Sequence, residues 1–331
     1  MKAYLHARPD DLATGSGQLV SVVIPTYRRP RAVAAAVESV LSQTWRELEI
    51  IVVSDGPDPE TRAALQIADT RLKYLELPEN QGPAAARNAG VAASRGDWLT
   101  FLDDDDLMLP RKIEVQMQLA DARKPAEMIS CRTVYRHGNR EDVWPSRPIL
   151  PREDLADYML RRSSPLGRPG IVPIQTLLLH RSLLDAVPFS NHADHEDWAW
   201  LLEVWHKAGA RVQFAWEPLV IYRIETENAT RSRRLNWKQS LEWAEQHRNW
   251  IGDRAFCCFL STKAALKAKR AKDWKGLRVI GGTVLRNRPG LLDLLFLAGV
   301  ILLPGALLQG AWKKSLQASA TSYGALDAST P

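Results

Sequence analysis

Strand-like and helix-like hydrophobic patterns alternate along the first 120 residues, and this alternation constrains the fold more than any other feature of the chain. β-Branched and apolar runs predict strands at residues 20–26, 49–55, 73–77 and 98–102. Helical patterns predict helices at residues 32–43, 59–68, 83–94 and 110–120. Such alternation indicates a mostly parallel sheet with helices on both faces and right-handed crossovers.

The following hundred residues are less regular. Apolar patterns predict strands at residues 128–133, 175–179 and 212–222. One helix is clear, because its apolar residues follow the i, i+3, i+4, i+7 spacing of a buried face and Gly209 can end it. These residues are Trp198, Leu201, Leu202 and Trp205. From about residue 236 the pattern becomes helical and basic.

Composition excludes several classes of protein. With 331 residues, 45% hydrophobic and 25% charged, the chain is typical of globular proteins and long enough to bury a core without disulfides. Three cysteines, two of them adjacent, favour a reducing compartment. A mean hydropathy of −0.25 excludes several membrane spans, and residues 1–18 contain no apolar core of signal-peptide length. We therefore expect a cytoplasmic protein.

Polar clusters follow each of the four predicted strands. They are Pro25-Thr26-Tyr27, Asp55-Gly56, Asn80-Gln81-Gly82 and the run from Asp103 to Asp106. Parallel sheets bind ligands beyond the carboxyl ends of their strands, so these clusters are candidates for one binding site.

Each cluster also has a purely structural interpretation. Four crowded carboxylates repel one another unless a cation offsets them, and hard oxygens suit Mg²⁺ or Mn²⁺, yet the same run could be a solvated loop that caps a helix. Asp55-Gly56 is a common turn sequence, and Arg87 alone would be an ion-pairing residue. Glu196 and Asp197 occupy a first helical turn, where the dipole favours acids.

Several catalytic motifs are missing from the sequence. The histidines have no HExxH-like spacing, and the sequence contains no G-x-S-x-G elbow, no G-x-x-x-x-G-K-[ST] loop and no G-x-G-x-x-G fingerprint. Zinc, hydrolase and P-loop chemistry are therefore not expected.

Taken together, in their order and spacing, the clusters indicate a protein family far more specifically than any one of them does alone. Five segments occur in the order and spacing of the family 2 glycosyltransferases: VSVVIPTYRRP at residues 20–30, VSDG at 53–56, NQGPAAARNAG at 80–90, GDWLTFLDDDD at 96–106 and EDWAW at 196–200. The sequence resembles that family over about residues 18–230. The resemblance implies a GT-A fold, a nucleotide-diphosphate sugar donor, a divalent metal (Mn²⁺ or Mg²⁺) and inversion at the anomeric carbon.

The resemblance also implies roles for individual residues. Pro25, Thr26, Tyr27, Asp55 and Arg87 would hold the base and ribose of the nucleotide. The run from Asp103 to Asp105 would be the acidic metal motif, and Asp197 would be the catalytic base, with Glu196 as its nearest rival. Because positions 103–106 are all Asp, the metal ligand is ambiguous; we expect Asp103 and Asp105 to bind the ion and Asp104 to contact the donor.

The same resemblance implies an organisation and a reaction. Residues 1–18 would be an extension, 19–125 the nucleotide-sugar half, 126–235 the acceptor half and 236–331 a helical C-terminal region. Processive members of the family carry a Gln-x-x-Arg-Trp element and several membrane spans, which are missing here, so transfer of a single sugar is implied. The acceptor would be a glycan or a lipid-linked molecule, as in the synthesis of cell-surface polysaccharide or glycolipid.

Two other functions stay open at this stage. A metal-dependent nucleotidyltransferase would use a similar acidic site, although it usually needs a basic glycine-rich loop that Ile24-Pro25-Thr26-Tyr27 does not provide. A non-catalytic, membrane-tethered nucleotide-sugar-binding protein would have the same fold without turnover.

The C-terminal region differs in charge from the rest. Residues 231–331 carry 17 basic and 6 acidic side chains, a net charge of +11, whereas residues 1–230 carry −5.

An apolar run at residues 291–308 is flanked on both sides by basic residues: Arg286, Arg288, Lys313 and Lys314. Basic flanks favour anionic lipid over nucleic acid as the partner. We expect residues 286–314 to contact the inner face of the cell membrane without a full span, because a span would move one basic flank across. A helix buried against the catalytic domain is the alternative.

Overall fold

The computed structural model describes residues 18–137, 140–164, 167–191, 195–223 and 236–304. The expected N-terminal extension lies almost wholly outside the described residues, and so does the end of the C-terminal region from residue 305.

The predicted parallel sheet is present in the first part of the chain. Its strands are β1 (Val20–Thr26), β2 (Leu48–Ser54), β3 (Leu72–Glu76) and β4 (Trp98–Phe101), in the spatial order β3-β2-β1-β4 with every pair parallel. The helices that follow them are α1 (Pro30–Leu41), α2 (Pro59–Ala64), α3 (Pro83–Ala93) and α4 (Lys112–Met117). All eight predicted elements are confirmed, with ends that shift by a few residues.

Local sequence explains where these helices begin and which face they bury. Pro30 and Pro83 stand at the starts of α1 and α3, where a missing N–H costs nothing. Gly82 precedes α3 with a φ of 95°, a conformation that favours glycine. The buried face of α1 follows helical spacing and consists of Val33, Ala36, Val37 and Val40.

The second part of the sheet is mixed. It contains β5 (Leu107–Met108), β6 (Glu127–His137), β7 (Arg140–Trp144), β8 (Leu178–His180) and β9 (Arg211–Arg223). The order continues from β4 as β8-β6-β9-β5, with β7 beside β6. Strand β8 is antiparallel to both of its neighbours, β4 and β6, and β6 is parallel to β9. Strand β5 pairs antiparallel with β9, and β7 pairs antiparallel with β6. The parallel arrangement that we predicted is thus present in β1 to β4 and in the β6–β9 pair, whereas the other pairs are antiparallel. Antiparallel neighbours need no crossover helix, so strand–helix alternation does not reveal them.

Three helices pack beside this mixed part: α5 (Leu155–Leu160), α6 (Arg181–Ala186) and α7 (Glu196–Lys207). Helix α7 ends before Gly209, which has a φ of 65°, as predicted. Its buried face differs from the predicted one. Leu201 and Leu202 are buried, but Trp198 and Trp205 are only half-buried, because Trp200 takes the core position and donates from its indole N–H to the carbonyl of Val187 at 2.8 Å.

The C-terminal region is helical, as predicted. It contains α8 (Trp237–Gln246), α9 (Arg248–Phe259), α10 (Ala265–Arg270), α11 (Trp274–Arg286) and α12 (Leu291–Leu302), and a π-helical turn, Leu260–Ala264, joins α9 to α10. One hydrophobic core continues from the sheet into these helices, since Val23, Phe101, Trp200, Phe256 and Val300 belong to the same cluster. Within the described ranges, no helix has both the length and the hydropathy of a membrane span.

Candidate active site

The predicted donor and metal residues meet in one cavity of about 480 Å³ at the carboxyl edge of β1 to β4. Its walls include nine of the ten predicted site residues: Pro25, Thr26, Tyr27, Asp55, Arg87, Asp103, Asp104, Asp105 and Asp197. Glu196, the tenth, lies beside the cavity and is held by Arg87. They converge because parallel strands end at the same edge and α7 begins opposite that edge.

Arg87 joins the two sides of this cavity. Its Nη2 donates to Oδ1 of Asp103 at 3.0 Å, and its Nη1 donates to Oδ1 of Asp197 at 3.1 Å and to Oε1 of Glu196 at 3.2 Å. The guanidinium also lies over the ring of Phe189, with Cζ 5.6 Å from the ring centroid. One buried cation therefore fixes a carboxylate that follows β4 relative to two carboxylates at the start of α7.

The charges of this cluster shift one another's proton affinities. Burial lowers the pKa of Arg87, but the negative charges of Asp197, Asp103 and Glu196 outweigh burial and raise it, so Arg87 stays charged. For Asp197, burial and the nearby Asp103 raise the pKa, whereas Arg87 lowers it; the net direction is upward. The side chain of Asp197 is nevertheless 37% exposed toward the cavity, so a ligand can reach it.

Asp104 points inward from the acidic run. Its side chain accepts from Oγ1 of Thr26 at 2.7 Å and from Nη1 of Arg29 at 2.9 Å, and it is only 5% exposed. Burial raises its pKa to about 6, against the lowering effects of Thr26 and Arg29. Both carboxylate oxygens are already in use. The hydrogen bonds tie the end of β1 to the loop after β4.

Asp105 and Asp103 are the more exposed members of the run. Asp105 shares Nη1 of Arg29, whose hydrogen bond to its Oδ2 is 3.0 Å long. Burial and the charge of Asp103 raise the pKa of Asp105 by more than the charge and hydrogen bond of Arg29 lower it. Asp106 is buried and accepts from Nε2 of Gln175 and the backbone N–H of Arg223.

Asp55 holds a neighbouring loop in place. Its Oδ1 accepts from the backbone N–H of Gln81 at 2.7 Å, and its Oδ2 accepts from that of Gly82 at 2.9 Å. These bonds position the entrance to α3, which carries Arg87. Asp55-Gly56 therefore forms the turn that its sequence predicts, in which Gly56 has a φ of 120°. Asp55 also lines the cavity.

Two carboxylates of the run fit a divalent cation. Across the described ranges, no three His, Cys, Asp or Glu side chains converge as ready metal ligands. Mg²⁺ typically takes only one or two protein carboxylates and fills its shell with phosphate oxygens and water, and Asp103 and Asp105 supply hard oxygens at the cavity wall. The residues present therefore match an ion that is bound together with a phosphate-bearing ligand.

Sequence reasoning assigned no role to five residues that line the cavity: Arg29, Asn80, Pro83, Ala86 and Tyr222. All but Tyr222 stand inside segments that we quoted, and Asn80 belongs to one of the polar clusters. Tyr222 comes from β9 and reaches the cavity only through the tertiary pairing of β9 with β5 and β6. No sequence pattern marked it.

Solved structures identify the class of this fold. S. aureus TarS in complex with UDP-GlcNAc superposes with a TM-score of 0.60 at 17% identity, covering 91% of this chain and 89% of that one. The mannosyltransferase PcManGT from Pyrobaculum calidifontis, in complex with GDP-Man and Mn²⁺, gives a TM-score of 0.55 at 17% identity, with 91% and 86% covered. The fold is that of the GT-A glycosyltransferases, as the resemblance implied.

Sequence comparisons then identify the family. The model of glycosyl transferase family 2 matches residues 21–185. An uncharacterized glycosyltransferase of Haemophilus influenzae is 30% identical over 194 residues, which are 56% of this chain and 71% of the relative. The Escherichia coli enzyme WfgD, a UDP-Glc:α-D-GlcNAc-diphosphoundecaprenol β-1,3-glucosyltransferase, is 28% identical over 188 residues, with 56% and 70% covered. The chain belongs to glycosyl transferase family 2 and is a glycosyltransferase.

Proposed function

We propose that this glycosyltransferase moves one sugar from a nucleotide-diphosphate sugar to an acceptor hydroxyl, with inversion at the anomeric carbon. One observation supports this reaction above all others. Arg87 spans the cavity between Asp103, on the expected phosphate side, and Asp197, on the expected acceptor side. A displacement with inversion needs a base and a leaving group on opposite faces of the sugar, and this arrangement supplies both sides.

The donor would lie along the ends of β1 and β2. The Tyr27 ring is 42% exposed and lines the cavity, so it offers a flat apolar face to a base. Pro25, Thr26 and Asp55 would form the remaining wall. Asp104 would act by holding Thr26 and Arg29 in place.

The metal would be held by Asp103 and Asp105, with Asp105 as the principal ligand. The neighbour PcManGT was solved with Mn²⁺ and GDP-Man, which supports a divalent ion of this kind here. When bound, such an ion stabilises the charge that develops on the diphosphate leaving group. Arg29 would then have to share or release its contact with Asp105.

Asp197 would remove the proton from the acceptor hydroxyl during attack. Oδ1 of Asp197 accepts from Arg87, so the other carboxylate oxygen is the one that would take the proton. A raised pKa brings a carboxylate closer to the operating pH, which favours general-base catalysis. Glu196 is the rival base, but its side chain is less exposed, at 12%.

The acceptor would be a glycan or a lipid-linked sugar. The relative WfgD acts on a sugar linked to diphosphoundecaprenol, and this supports a polysaccharide or glycolipid pathway here. We also propose that residues 286–314 contact the cytoplasmic face of the membrane, of which the described part ends at Pro304. Three free, buried cysteines agree with a reducing compartment.

The decisive experiment incubates the full chain with a panel of nucleotide sugars, a panel of glycan and lipid-linked acceptors and Mn²⁺, and measures release of nucleoside diphosphate. Release from one donor, with an inverted anomeric configuration in the product by NMR, is the expected result. Release of pyrophosphate from a nucleoside triphosphate would instead support a nucleotidyltransferase. Donor binding without turnover for any acceptor tested would support a binding protein and overturn the proposal.

A further inference from the structure

A second large cavity lies far along the chain from the catalytic residues. It is a groove of about 810 Å³ between Arg162, helix α10 and the C-terminal end of α12. None of the residues that line the catalytic cavity lines this groove. We define the lipid groove as the cavity lined by Arg162, residues 262–274 in part and residues 296–304 in part.

The groove has a cationic wall. Its described lining contains four basic side chains and no acidic one: Arg162, Lys269, Arg270 and Lys272. Arg162 stacks over the Phe296 ring, with Cζ 5.0 Å from the centroid, and Lys269 donates from Nζ to the carbonyls of Val300, Ile301 and Leu303. Arg270 and Lys272 are exposed to solvent. An anion in the groove would therefore pair with Arg270 and Lys272, and the charges of Arg162 and Lys269 would add to the positive potential there.

Positive potential extends from the groove into the protein. Burial and, after it, the positive charges of Arg162, Lys267 and Arg270 together lower the pKa of Lys263 to about 8. Cations that disfavour one another's charged forms are stabilised by a nearby anion. Arg162 and Arg270 line the groove, so this effect is a further sign of the crowded positive charge of the cationic wall.

The opposite wall is apolar and open. Trp274 is 58% exposed and Leu302 is 78% exposed, and Leu266 and Phe296 line the floor between them. The outer face of α12 continues this surface through Leu291 and Leu295, which are also exposed. A soluble phosphate or a nucleotide would leave these aliphatic side chains in water. An amphiphile would cover them.

We propose that the lipid groove binds the phosphate and the adjoining acyl chains of an acidic membrane phospholipid. Charge complementarity selects an anionic headgroup, and the apolar wall selects a chain attached to it. Helix α12 has 12 residues and is about 18 Å long, too short to cross a hydrocarbon core of about 30 Å. It would lie along the membrane surface with the groove open toward the headgroups. This inference rests on the membrane contact in the proposed function.

The first test uses calorimetry with the full chain and short-chain phosphatidylglycerol below its micelle concentration. We expect one binding site, with phosphatidylcholine of the same chains at least about tenfold weaker because it carries no net charge. Glycerol phosphate, which lacks the chains, should bind more weakly still. Equal binding of all three ligands, or equal binding of glycerol phosphate and phosphatidylglycerol, would overturn the proposal.

Paired variants then locate the site. Arg270→Gln with Lys272→Asn removes two groove cations, and Asn suits the φ of 56° at position 272. The matched control, Lys238→Asn with Arg254→Gln, removes two exposed cations of the same region that do not line the groove. We expect about 30-fold weaker phosphatidylglycerol binding for the groove pair and less than about twofold for the control. Equal effects would overturn the proposal, provided both variants keep the wild-type melting temperature.

Two further measurements separate this inference from the proposed function. Nucleoside diphosphate release from the donor is measured with the glycan and lipid-linked acceptors but without phosphatidylglycerol, so its absence would overturn sugar transfer and leave lipid binding untouched. Sedimentation with phosphatidylglycerol vesicles is measured for Leu291→Ser with Leu295→Ser, which lie outside the groove. This variant should lose vesicle binding and keep binding of the monomeric lipid. Loss of both would indicate that the groove does not bind lipid by itself.

Discussion

The sheet-containing part of the chain and the C-terminal helices share one hydrophobic core but have different surfaces. Eight large apolar side chains between residues 274 and 303 are exposed, and basic side chains lie among them. In the sheet-containing part, the unusual polar groups collect at one edge and pair with one another, as Arg87 does with three carboxylates. The first region therefore concentrates its chemistry in a cavity. The second leaves an apolar and basic surface of the kind that marks contact with a partner.

Glycines show the same difference at the level of packing. A Cβ on Gly90 of α3 would lie 2.3 Å from Cγ1 of Val23, so the contact between α3 and β1 requires glycine there. A Cβ on Gly282 of α11 would have Arg286 Nη2, at 3.9 Å, as its nearest neighbour. The contact between α3 and the sheet is packed to the limit. The C-terminal region has one such contact, at Gly276, whose Cβ would lie 2.4 Å from Cε2 of Trp237, but it also has space at the outer face of α11.

The largest effect that would test this contrast is on turnover. Asp197→Asn should lower the rate of sugar transfer by about 10²–10⁴-fold, because it removes the proposed base from the packed cavity. Donor affinity should hardly change. Steady-state rates and calorimetric donor titrations measure the two quantities separately. If Glu196→Gln loses turnover and Asp197→Asn keeps it, the two carboxylates have exchanged roles.

The next-largest effect is on the binding of the divalent metal ion. Asp105→Ala should weaken Mn²⁺-dependent binding of a nucleoside diphosphate by at least about tenfold, while the melting temperature changes little because Asp105 is partly exposed. Calorimetric titration with and without Mn²⁺ measures the dependence. Asp253→Ala, at an exposed site of the C-terminal region, is the control. Unchanged affinity in Asp105→Ala would contradict the assignment.

The packing contrast predicts opposite signs for one kind of substitution. Gly90→Ala should lower the free energy of unfolding by about 1–3 kcal/mol, because the new methyl group overlaps Val23. Gly282→Ala should raise it by about 0.5–1 kcal/mol, because alanine favours a helix and meets no close atom. Urea unfolding measures both. Similar changes for the two variants would remove the proposed difference between the regions.

The last effect tests the buried interior of the sheet-containing part through the pH dependence of its stability. Lys112 is fully buried, its Nζ donates to Oγ1 of Thr100 at 2.8 Å, and burial lowers its pKa to about 8. The folded protein releases this proton at a lower pH than the unfolded chain, so deprotonation favours the folded state. Between pH 7.5 and 9.5 the free energy of unfolding should rise by about 2 kcal/mol relative to Lys112→Met. A pH-independent difference in urea midpoints would contradict this prediction.

The sequence by itself determined the elements whose pattern is local. Strands β1 to β4 and helices α1 to α3 were predictable because their hydrophobic periods run for several turns or strand residues. The placement of Thr26, Asp55 and the acidic run at one sheet edge followed from the parallel arrangement. The resemblance to family 2 glycosyltransferases, now confirmed, came from five segments that stand in fixed order.

Only the tertiary structure decided how the distant parts meet. The two-residue strand β5 is too short to show a period, and three of the five residues of β7 are charged. The antiparallel insertion of β8 depends on pairing partners far along the chain. Taken alone in the sequence, Arg87 was an ion-pairing residue without a predicted partner, and no role was predicted for Arg29. In the structure Arg87 bridges α7 to the end of β4, and Arg29 holds Asp104 and Asp105. Side-chain partners across a fold depend on where the backbone brings them, and hydrophobic periodicity carries no information about such long-range contacts.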